Sequence, residues 1–251
     1  MKISIITINY NNKKGLERTI KSVVNQSSHD FEYIVIDGGS NDGSFDVIKG
    51  NANSIDYWVS EKDDGIYHAM NKGTFAAHGD YCLFLNSGDV LIDNTVIDRL
   101  LSYHLSADII SGSIKYATGR ISKAPKSVTM KTFVLGSLPH QSTFIKRELL
   151  LDNPYDERFK IGGDWRFFIQ VLIYKNASYQ KIDDVISLFD NTGVSNSVSR
   201  QSELRLHEME LCRDILPIRV ENDYKFDKFL AKWKWRFCKM FRVIKNRILF
   251  R

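Results

Sequence analysis

Three aspartates carry the clearest signs of chemistry in this chain of 251 residues. Asp37 and Asp89 come at or just after the end of a short apolar run that predicts a buried strand, and Asp164 opens a helix-like run after two glycines. In α/β sheets, ligands bind in the crevice at the carboxyl ends of the strands, so carboxylates placed there face a ligand. Such groups can accept a hydrogen bond from a ring N–H, ligate Mg²⁺ or Mn²⁺, or remove a proton from a hydroxyl.

Each aspartate also has a plainer interpretation that the residues alone leave open. Asp37 begins a turn rich in glycine, and aspartates in such turns fix the backbone or, like Asp42, cap the next helix. A single aspartate after a strand, such as Asp89, is a common helix cap, and Asp164 fits the N-cap of its own helix. The functional alternative for Asp164 is a general base that a rigid helix start presents to a hydroxyl.

Alternating strands and helices position these groups. Apolar, β-branched runs at 3–9 and 31–37 predict strands, and a helix at 14–25 separates them. The order continues with a helix at 43–49, a strand at 55–59, a helix at 65–77 and a strand at 81–85. This alternation predicts an α/β fold with a mostly parallel sheet that helices cover on both faces.

The downstream half has a less regular pattern. Residues 107–145 mix short strand-like runs with a Lys- and Ser-rich segment, Arg120 to Lys131, that predicts a loop. A helix from Asp164 to Tyr174 and a strand at 179–188 complete the predicted domain.

The composition is that of a folded protein from a reducing compartment. Hydrophobic residues make up 43% and charged residues 26%, as in ordinary globular proteins. The three cysteines are odd in number and lack metal-site spacing, which favours free thiols. The first strand is too short for a signal peptide, and no apolar run reaches the ~20 residues of a spanning helix. We therefore expect a cytoplasmic protein.

The end of the chain has a separate character. Residues 225–251 contain ten Lys and Arg against one acid, a net charge of +9 within a chain total of +5. Apolar residues recur there at helical spacing: Phe226, Phe229, Leu230, Trp233, Phe237, Met240, Phe241, Ile244 and Ile248. This pattern predicts a basic amphipathic helix suited to an anionic membrane surface. Packing on the domain or on a second copy stays open, so a homo-oligomer stays open too, whereas the regular apolar stripe argues against nucleic acid.

Five segments in order resemble glycosyltransferase family 2, whose members have the GT-A fold. They are Ser4 to Asn11, Tyr33 to Ser44, Ser60 to Tyr67, Ala69 to Gly73, and Phe84 to Asp89. The resemblance covers about residues 1–195 and implies a metal-dependent, inverting enzyme that uses a nucleotide sugar. It implies a GT-A catalytic domain over 1–216, with a nucleotide-binding half of about 1–105 and an acceptor-side half of about 106–216, followed by the tail at 217–251.

The resemblance also implies roles for particular residues. Tyr10 and Asp37 hold the nucleobase, usually uracil, while Asp63 and the stretch from Asn71 through Lys72 lie near the ribose and diphosphate. The full implied donor-binding set is Ile8, Tyr10, Asn11, Asp37, Gly39, Ser40, Asp63, Asn71, Lys72, Ser87 and Gly88. Asp89 is the implied ligand of Mg²⁺ or Mn²⁺, and Asp164 is the implied base. His140, Gln141 and Trp165 approach the sugar or the acceptor, although a buried, satisfied histidine stays an alternative for His140.

Three departures from the family pattern bear on function. Asn86-Ser87-Gly88-Asp89 stands where Asp-x-Asp-Asp is common, which leaves one carboxylate for the metal. Met70 stands where many relatives carry an arginine, so Lys72 is the compensating cation. The Gln-x-x-Arg-Trp segment of processive members is absent from the sequence, which favours transfer of one sugar per encounter.

The expected reaction is transfer of a sugar, from UDP in the simplest case, to a glycan hydroxyl in bacterial surface polysaccharide synthesis. The predicted tail favours a lipid-linked oligosaccharide acceptor at the inner face of the cytoplasmic membrane. One alternative is a sugar-phosphate nucleotidyltransferase, but residues 9–15 contain too little glycine for its phosphate loop. The other alternative is an inactive, membrane-associated scaffold, which the reduced metal motif would favour.

Overall fold

The computed structural model describes residues 2–190. The predicted tail at 217–251 and the end of the acceptor-side half lie outside this range. The strands are β1 (Ile3–Asn9), β2 (Phe31–Asp37), β3 (Tyr57–Ser60), β4 (Tyr81–Phe84), β5 (Val90–Leu91), β6 (Ile109–Tyr116), β7 (Ile121–Ser122), β8 (Thr143–Lys146) and β9 (Tyr179–Phe189). The α-helices are α1 (Lys13–Val24), α2 (Ser44–Gly50), α3 (Ile66–Ala76), α4 (Val96–Leu101), α5 (Met130–Leu135), α6 (Arg147–Asp152) and α7 (Gly163–Phe168).

All nine of these strands belong to one mixed sheet, in the order β3-β2-β1-β4-β8-β6-β9-β5, with β7 paired to β6. The first four strands are parallel, as the alternating pattern predicts. Beyond β4 the sheet is mixed, because β8 runs antiparallel to both β4 and β6 while β6 and β9 are parallel. The carboxyl ends of β1, β2 and β3 lie side by side, with Asn9 opposite Asp37 and Asp37 opposite Ser60.

Burial on both faces explains why β1 is apolar along its whole length. Ile3 and Ile5 pack on one face with Leu16 of α1, whereas Ile6 packs on the other face with Met70 of α3. Because successive side chains of a strand alternate between faces, a strand covered on both sides needs apolar residues at nearly every position. This packing fixes the sheet edge from which the polar loops project.

The downstream half shows where the sequence pattern was too coarse. The predicted loop from Arg120 to Lys131 contains the short strand β7 and the first residues of α5. The predicted helix from Asp164 to Tyr174 is α7 followed by a π-helical turn, Ile169–Tyr174. Within residues 2–190, no helix combines the length and the apolar character needed to cross a bilayer.

Candidate active site

Asp37 anchors the loop that follows β2. Its Oδ1 accepts hydrogen bonds from Asn9 Nδ2 (2.7 Å) and Ser40 Oγ (2.6 Å), and its Oδ2 accepts from Ser40 N (3.0 Å) and Ser60 Oγ (2.6 Å). Burial raises the pKa of Asp37, but these donors outweigh it and hold the pKa below its ordinary value. The side chain is fully buried. A ligand N–H would have to share or displace one of these bonds, and the contact of Asp37 with a nucleobase stays a prediction.

Asp63, unlike Asp37, has a carboxylate oxygen that accepts no hydrogen bond from the described residues. Its side chain is 8% exposed, its Oδ1 pairs with Lys72 Nζ (2.7 Å), and its buried Oδ2 has no hydrogen-bond partner among the described residues. The Oδ2 atom and the Tyr10 ring both border Gly38, where an added Cβ would lie 3.3 Å from Asp63 Oδ2 and 3.2 Å from Tyr10 Cδ2. Leaving a buried acceptor unpaired is costly, about 1–3 kcal/mol. A ligand N–H beside the exposed Tyr10 ring would satisfy it.

Lys72 and Asn71, adjacent in sequence, have different surroundings. Lys72 bridges Glu61 (2.8 Å) and Asp63 (2.7 Å), and these carboxylates raise its pKa although burial opposes them. Asn71 is buried and joins α3 to the loop after α6: it donates to Tyr155 O (2.9 Å) and accepts from Tyr155 N (3.0 Å). The Asn71 side chain is thus engaged in the fold, and its proximity to the ribose and diphosphate stays a prediction.

The remaining predicted donor residues at the first two strand exits tie the loops together. Ser40 Oγ accepts from Asn11 N (2.8 Å), and Asn11 Oδ1 accepts from Asn41 N (2.9 Å). Gly39 adopts φ +76°, and an added Cβ would lie 3.2 Å from Lys62 N. Ile8 is buried, and its carbonyl accepts from Ser87 N (3.0 Å), which places the β1 and β4 exits next to each other.

The β4 exit carries the predicted metal ligand. Asp89 is 5% exposed, and its Oδ1 accepts from Asp190 N (2.9 Å), while its Oδ2 accepts no hydrogen bond from residues 2–190. Burial raises the pKa of Asp89 to about 6, against the opposing positive charge of His140. Gly88 adopts φ +111°, a conformation that is strained for residues with a side chain, and an added Cβ would lie 2.7 Å from Asp190 Oδ2.

Asp190 is a site residue that the sequence reasoning missed. It follows the end of β9, and its Oδ2 forms an ion pair with Arg18 Nη2 of α1 (2.7 Å). The sequence contains a signal for Asp190, because this residue comes just after the strand predicted at 179–188. The strand-exit argument that selected Asp37 and Asp89 applies equally to it.

Asp164 lies in the first turn of α7, and the N-cap interpretation is wrong. The N-cap is Gly162, in a left-handed conformation with φ 82°. The Asp164 carboxylate instead contacts two side chains: Oδ1 accepts from Tyr67 Oη (3.3 Å), and Oδ2 lies 3.4 Å from His140 Nδ1. Burial raises the pKa of Asp164, but His140 and Tyr67 outweigh burial and keep the pKa below its ordinary value. The carboxylate is thus ionised at neutral pH.

His140 connects Asp164 with the β4 exit. Its Nε2 lies 3.2 Å from Asn86 Nδ2, and its side chain is 21% exposed, so it borders the site and is not a fully buried core histidine. Burial lowers the pKa of His140. The hydrogen bond with Asp164 and the charges of Asp164 and Asp89 outweigh burial, so the net effect is a raised pKa. Asp164 thus contacts His140 directly, and the charge of Asp89, 75 positions away in sequence, also acts on this histidine.

Gln141 and Trp165 have different surroundings from those of His140. Gln141 is 3% exposed, within the short 3₁₀ turn His140–Ser142. Trp165 Nε1 donates to Phe133 O (2.9 Å), which joins α7 to α5. The side chain of His140 contacts the candidate base, while the approach of Gln141 and Trp165 to the sugar or the acceptor stays a prediction.

The sequence profile of glycosyl transferase family 2 matches residues 4–173, more than half of the chain. The chain belongs to glycosyl transferase family 2. An uncharacterised glycosyltransferase of Mycobacterium tuberculosis is 32% identical over 203 residues, which cover 77% of each chain. The protein is accordingly a glycosyltransferase that uses a nucleotide-sugar donor, as the resemblance implied.

Solved structures place the family 2 domain in the GT-A fold. S. aureus TarS in complex with UDP-GlcNAc has a TM-score of 0.65 at 22% identity, covering 84% of this chain and 67% of that chain. Glucosyl-3-phosphoglycerate synthase from Mycobacterium tuberculosis, in complex with Mn²⁺, UDP and glucosyl-3-phosphoglycerate, has a TM-score of 0.57 at 18% identity, covering 84% and 78%. The predicted fold class is confirmed for the described part of the chain.

The donor set at the β4 exit of this family 2 enzyme fits a hard divalent cation. Within residues 2–190, no group of three or more His, Cys, Asp or Glu side chains could hold a metal. Asp89 still presents one carboxylate oxygen without a hydrogen-bond partner in that range. Mg²⁺ is often held by one or two carboxylates, with substrate phosphates and water completing the shell. A cation here would therefore bind together with the donor diphosphate.

Proposed function

We propose that this enzyme transfers a sugar from a UDP-linked donor to a hydroxyl of a glycan acceptor, with inversion at the anomeric carbon. The observation that supports the proposal is the series of contacts from Asp164 through His140 to Asn86, because it connects the candidate base with the loop that carries Asp89. A base on one side and a cation on the other are the two groups that such a transfer needs.

The nucleobase subsite of this proposal consists of Tyr10 and Asp63. The Tyr10 ring is 68% exposed and can stack on a base, and the unpaired Asp63 Oδ2 can accept the imide N–H of uracil. Lys72 holds the other oxygen of Asp63, so the carboxylate cannot turn away. The UDP and UDP-GlcNAc bound to structural relatives support a uridine donor.

Asp89 is the proposed protein ligand of Mg²⁺ or Mn²⁺. Its Oδ1 is held by the Asp190 N–H, which leaves Oδ2 as the proposed ligand atom. The cation, when bound, supplies positive charge that stabilises the leaving diphosphate. The Mn²⁺ bound to the M. tuberculosis synthase supports the choice of metal. Asn86 and Gly88 stand where other members carry further carboxylates, so weak metal binding in the absence of nucleotide follows from this site.

Asp164 is the proposed general base. Its depressed pKa keeps it ionised at neutral pH, and its side chain is 20% exposed at the mouth of the site. It removes the proton of the acceptor hydroxyl as the oxygen attacks the anomeric carbon from the face opposite the diphosphate. An α-linked nucleotide sugar therefore yields a β-glycoside.

The proposed acceptor is lipid-linked, and the proposed location is the inner face of the cytoplasmic membrane. This part rests on the basic, apolar pattern of residues 225–251, which lie outside the described residues. Each Lys or Arg near an anionic surface adds roughly 1 kcal/mol of attraction. Sedimentation with anionic liposomes, comparing the full chain with a chain that ends at residue 224, tests it; equal binding of both would contradict the proposal.

The proposed reaction is tested in two steps on the full chain. Calorimetric titration with UDP-GlcNAc, UDP-glucose, UDP-galactose and GDP-mannose in the presence of Mn²⁺ identifies the donor. Release of UDP from that donor, with and without added glycan acceptors, then measures turnover. We expect binding of one UDP-sugar and Mn²⁺-dependent release of UDP. Tighter binding of GDP-mannose would contradict the uridine subsite, and binding without turnover under any condition would contradict the enzyme mechanism.

A further inference from the structure

Tyr67 of α3 contacts the start of α7 directly. It is 5% exposed, and its Oη accepts a hydrogen bond from Gly163 N (2.8 Å) and donates one to Asp164 Oδ1 (3.3 Å). We propose that Tyr67 is a positioning residue that fixes both the orientation and the ionisation of the Asp164 carboxylate. The inference rests on the proposed function, because the contact has a catalytic consequence only if Asp164 is the base.

The two hydrogen bonds of the Tyr67 hydroxyl fix the direction of its proton. The Gly163 N–H is a donor, so Oη must accept there, and its own proton is free to point at Asp164 Oδ1. A donor to the ionised form of a carboxyl group stabilises that form and lowers its pKa. With Oδ1 held in this way, Oδ2 stays on the side of His140 Nδ1, at 3.4 Å. Tyr67 therefore decides which oxygen faces the site.

Packing holds the Tyr67 ring in this position. A Cβ added to Gly163 would lie 2.8 Å from Cε2 and Cζ of the ring, so only glycine at 163 allows this approach. On the other side, the ring of Tyr155 lies 5.6 Å away between centroids. Burial and the charge of Asp164 also raise the pKa of Tyr67 well above its ordinary value, so the hydroxyl keeps its proton. A buried ring with one hydroxyl direction is a rigid support for a catalytic carboxylate.

Tyr155 supplies a matched control in the same aromatic cluster. It is 2% exposed, it packs against Phe167 at 5.0 Å and Phe84 at 5.6 Å, and its Oη has no hydrogen-bond partner among the described residues. Tyr155→Phe and Tyr67→Phe each remove one buried hydroxyl from neighbouring rings. Only Tyr67→Phe removes a hydrogen bond to Asp164.

The test combines two measurements on the full chain. The first is the titration of the Asp164 carboxyl carbon by ¹³C NMR. The second is the pH dependence of UDP release from the UDP-sugar that binds most tightly, with Mn²⁺ and no added acceptor. For Tyr67→Phe we expect a higher pKa of Asp164, an acidic limb of kcat moved to higher pH, and kcat at neutral pH lowered about tenfold with KM nearly unchanged. Tyr155→Phe should leave all of these values at those of the wild type.

The outcomes separate this inference from the proposed function. An unchanged Asp164 titration in Tyr67→Phe overturns the inference, even if activity falls, because the fall would then reflect a purely structural role. A shifted titration in a protein whose wild type releases no UDP supports the contact and contradicts the proposed function. If Tyr67→Phe does not fold, 3-fluorotyrosine at position 67 retains the ring and the hydroxyl with a more acidic proton. The more acidic hydroxyl of 3-fluorotyrosine must lower the pKa of Asp164. An unchanged pKa of Asp164 would overturn the inference.

Discussion

His140 Nε2 and Asn86 Nδ2 lie 3.2 Å apart, and this contact joins the two halves of the described domain at the site. Asn86 follows β4 of the parallel half, whereas His140 leads into β8 of the mixed half and contacts Asp164 through its other ring nitrogen. The contact therefore brings a base from one half to the proposed cation site of the other.

Asp164→Asn should lower kcat by about 10²–10⁴ and leave the Kd of the donor within about twofold, because an amide cannot accept the hydroxyl proton. Steady-state UDP release and calorimetry of donor binding give the two values. Asp183→Asn is the control, since Asp183 is largely exposed and pairs with Lys181 on β9. Wild-type turnover in Asp164→Asn would rule out Asp164 as the base.

Asp63→Ala should raise the Kd of UDP about tenfold, because it removes the carboxylate oxygen that is proposed to accept the imide N–H. Glu61→Ala is the matched control, since Glu61 also pairs with Lys72 but has an exposed side chain. Calorimetric titration with UDP measures both. If the two variants lose affinity equally, the effect comes from Lys72, and the assignment of Asp63 to the nucleobase is wrong.

Asp37→Asn should lower the free energy of unfolding by about 2–4 kcal/mol, because an amide places a donor where Asp37 accepts four hydrogen bonds. Ser60→Ala removes one of those bonds and should cost about 1 kcal/mol. The folded-state pKa of Asp37 is depressed, so its ionisation stabilises the fold above the unfolded pKa of about 3.9 and this stability is lost as pH falls below it.

Urea unfolding at several pH values measures this effect. The free energies of unfolding of the wild type and Asp37→Asn should differ less as the pH falls below the unfolded pKa of Asp37. If the two free energies of unfolding differ by the same amount at every pH, the charge of Asp37 does not stabilise the fold. A stable Asp37→Asn variant with weakened UDP binding would instead restore Asp37 to the nucleobase subsite.

Asn71→Ala should destabilise the protein by about 2–3 kcal/mol, because it leaves the backbone N–H and C=O of Tyr155 without their partners. The Kd of the donor should stay within about twofold of the wild type at a temperature where the variant is folded. Thermal unfolding and calorimetry separate the two effects. A large loss of donor affinity with unchanged stability would place Asn71 in the donor site after all.

Asp89→Asn should weaken Mn²⁺ binding in the presence of UDP at least about tenfold, because a neutral amide is a poorer ligand for a hard cation. Asp190→Asn keeps the backbone N–H that holds Asp89 Oδ1, so it should change Mn²⁺ affinity much less. Calorimetric titration of the UDP complex with Mn²⁺ measures both variants, and removal of the metal by EDTA should abolish UDP release in the wild type. Full activity in EDTA would contradict a metal-dependent reaction.

The sequence predicted the parallel half of the fold closely. The strands predicted at 3–9 and 31–37 agree with β1 and β2 at both ends, because buried parallel strands are apolar along their whole length. The mixed half was predicted poorly, since β5 and β7 have two residues each and depend on distant partners. A pattern of local periodicity cannot identify strands of that length.

The sequence also located the site loops better than the roles within them. It marked Asp37 and Asp89 as polar residues at strand ends, and the family resemblance added Asp63, but the direction of each carboxylate depends on tertiary neighbours. Ser40 and Ser60 hold Asp37 inward, while Lys72 holds one oxygen of Asp63 and leaves its buried Oδ2 without a hydrogen-bond partner among the described residues. Asp190 reaches the same loop from 101 positions beyond Asp89, a proximity that no local pattern contains.

The most direct test of the central claim is paramagnetic broadening of histidine ring signals by Mn²⁺ bound together with UDP. The broadening falls off steeply with distance from the cation, so it reports which of the six histidines lies beside the metal. We predict that the His140 signals disappear on addition of Mn²⁺ and UDP to the wild type and persist in Asp89→Asn. Sharp His140 signals in the wild-type complex would show that the cation and Asp164 do not share one site, and would contradict the account.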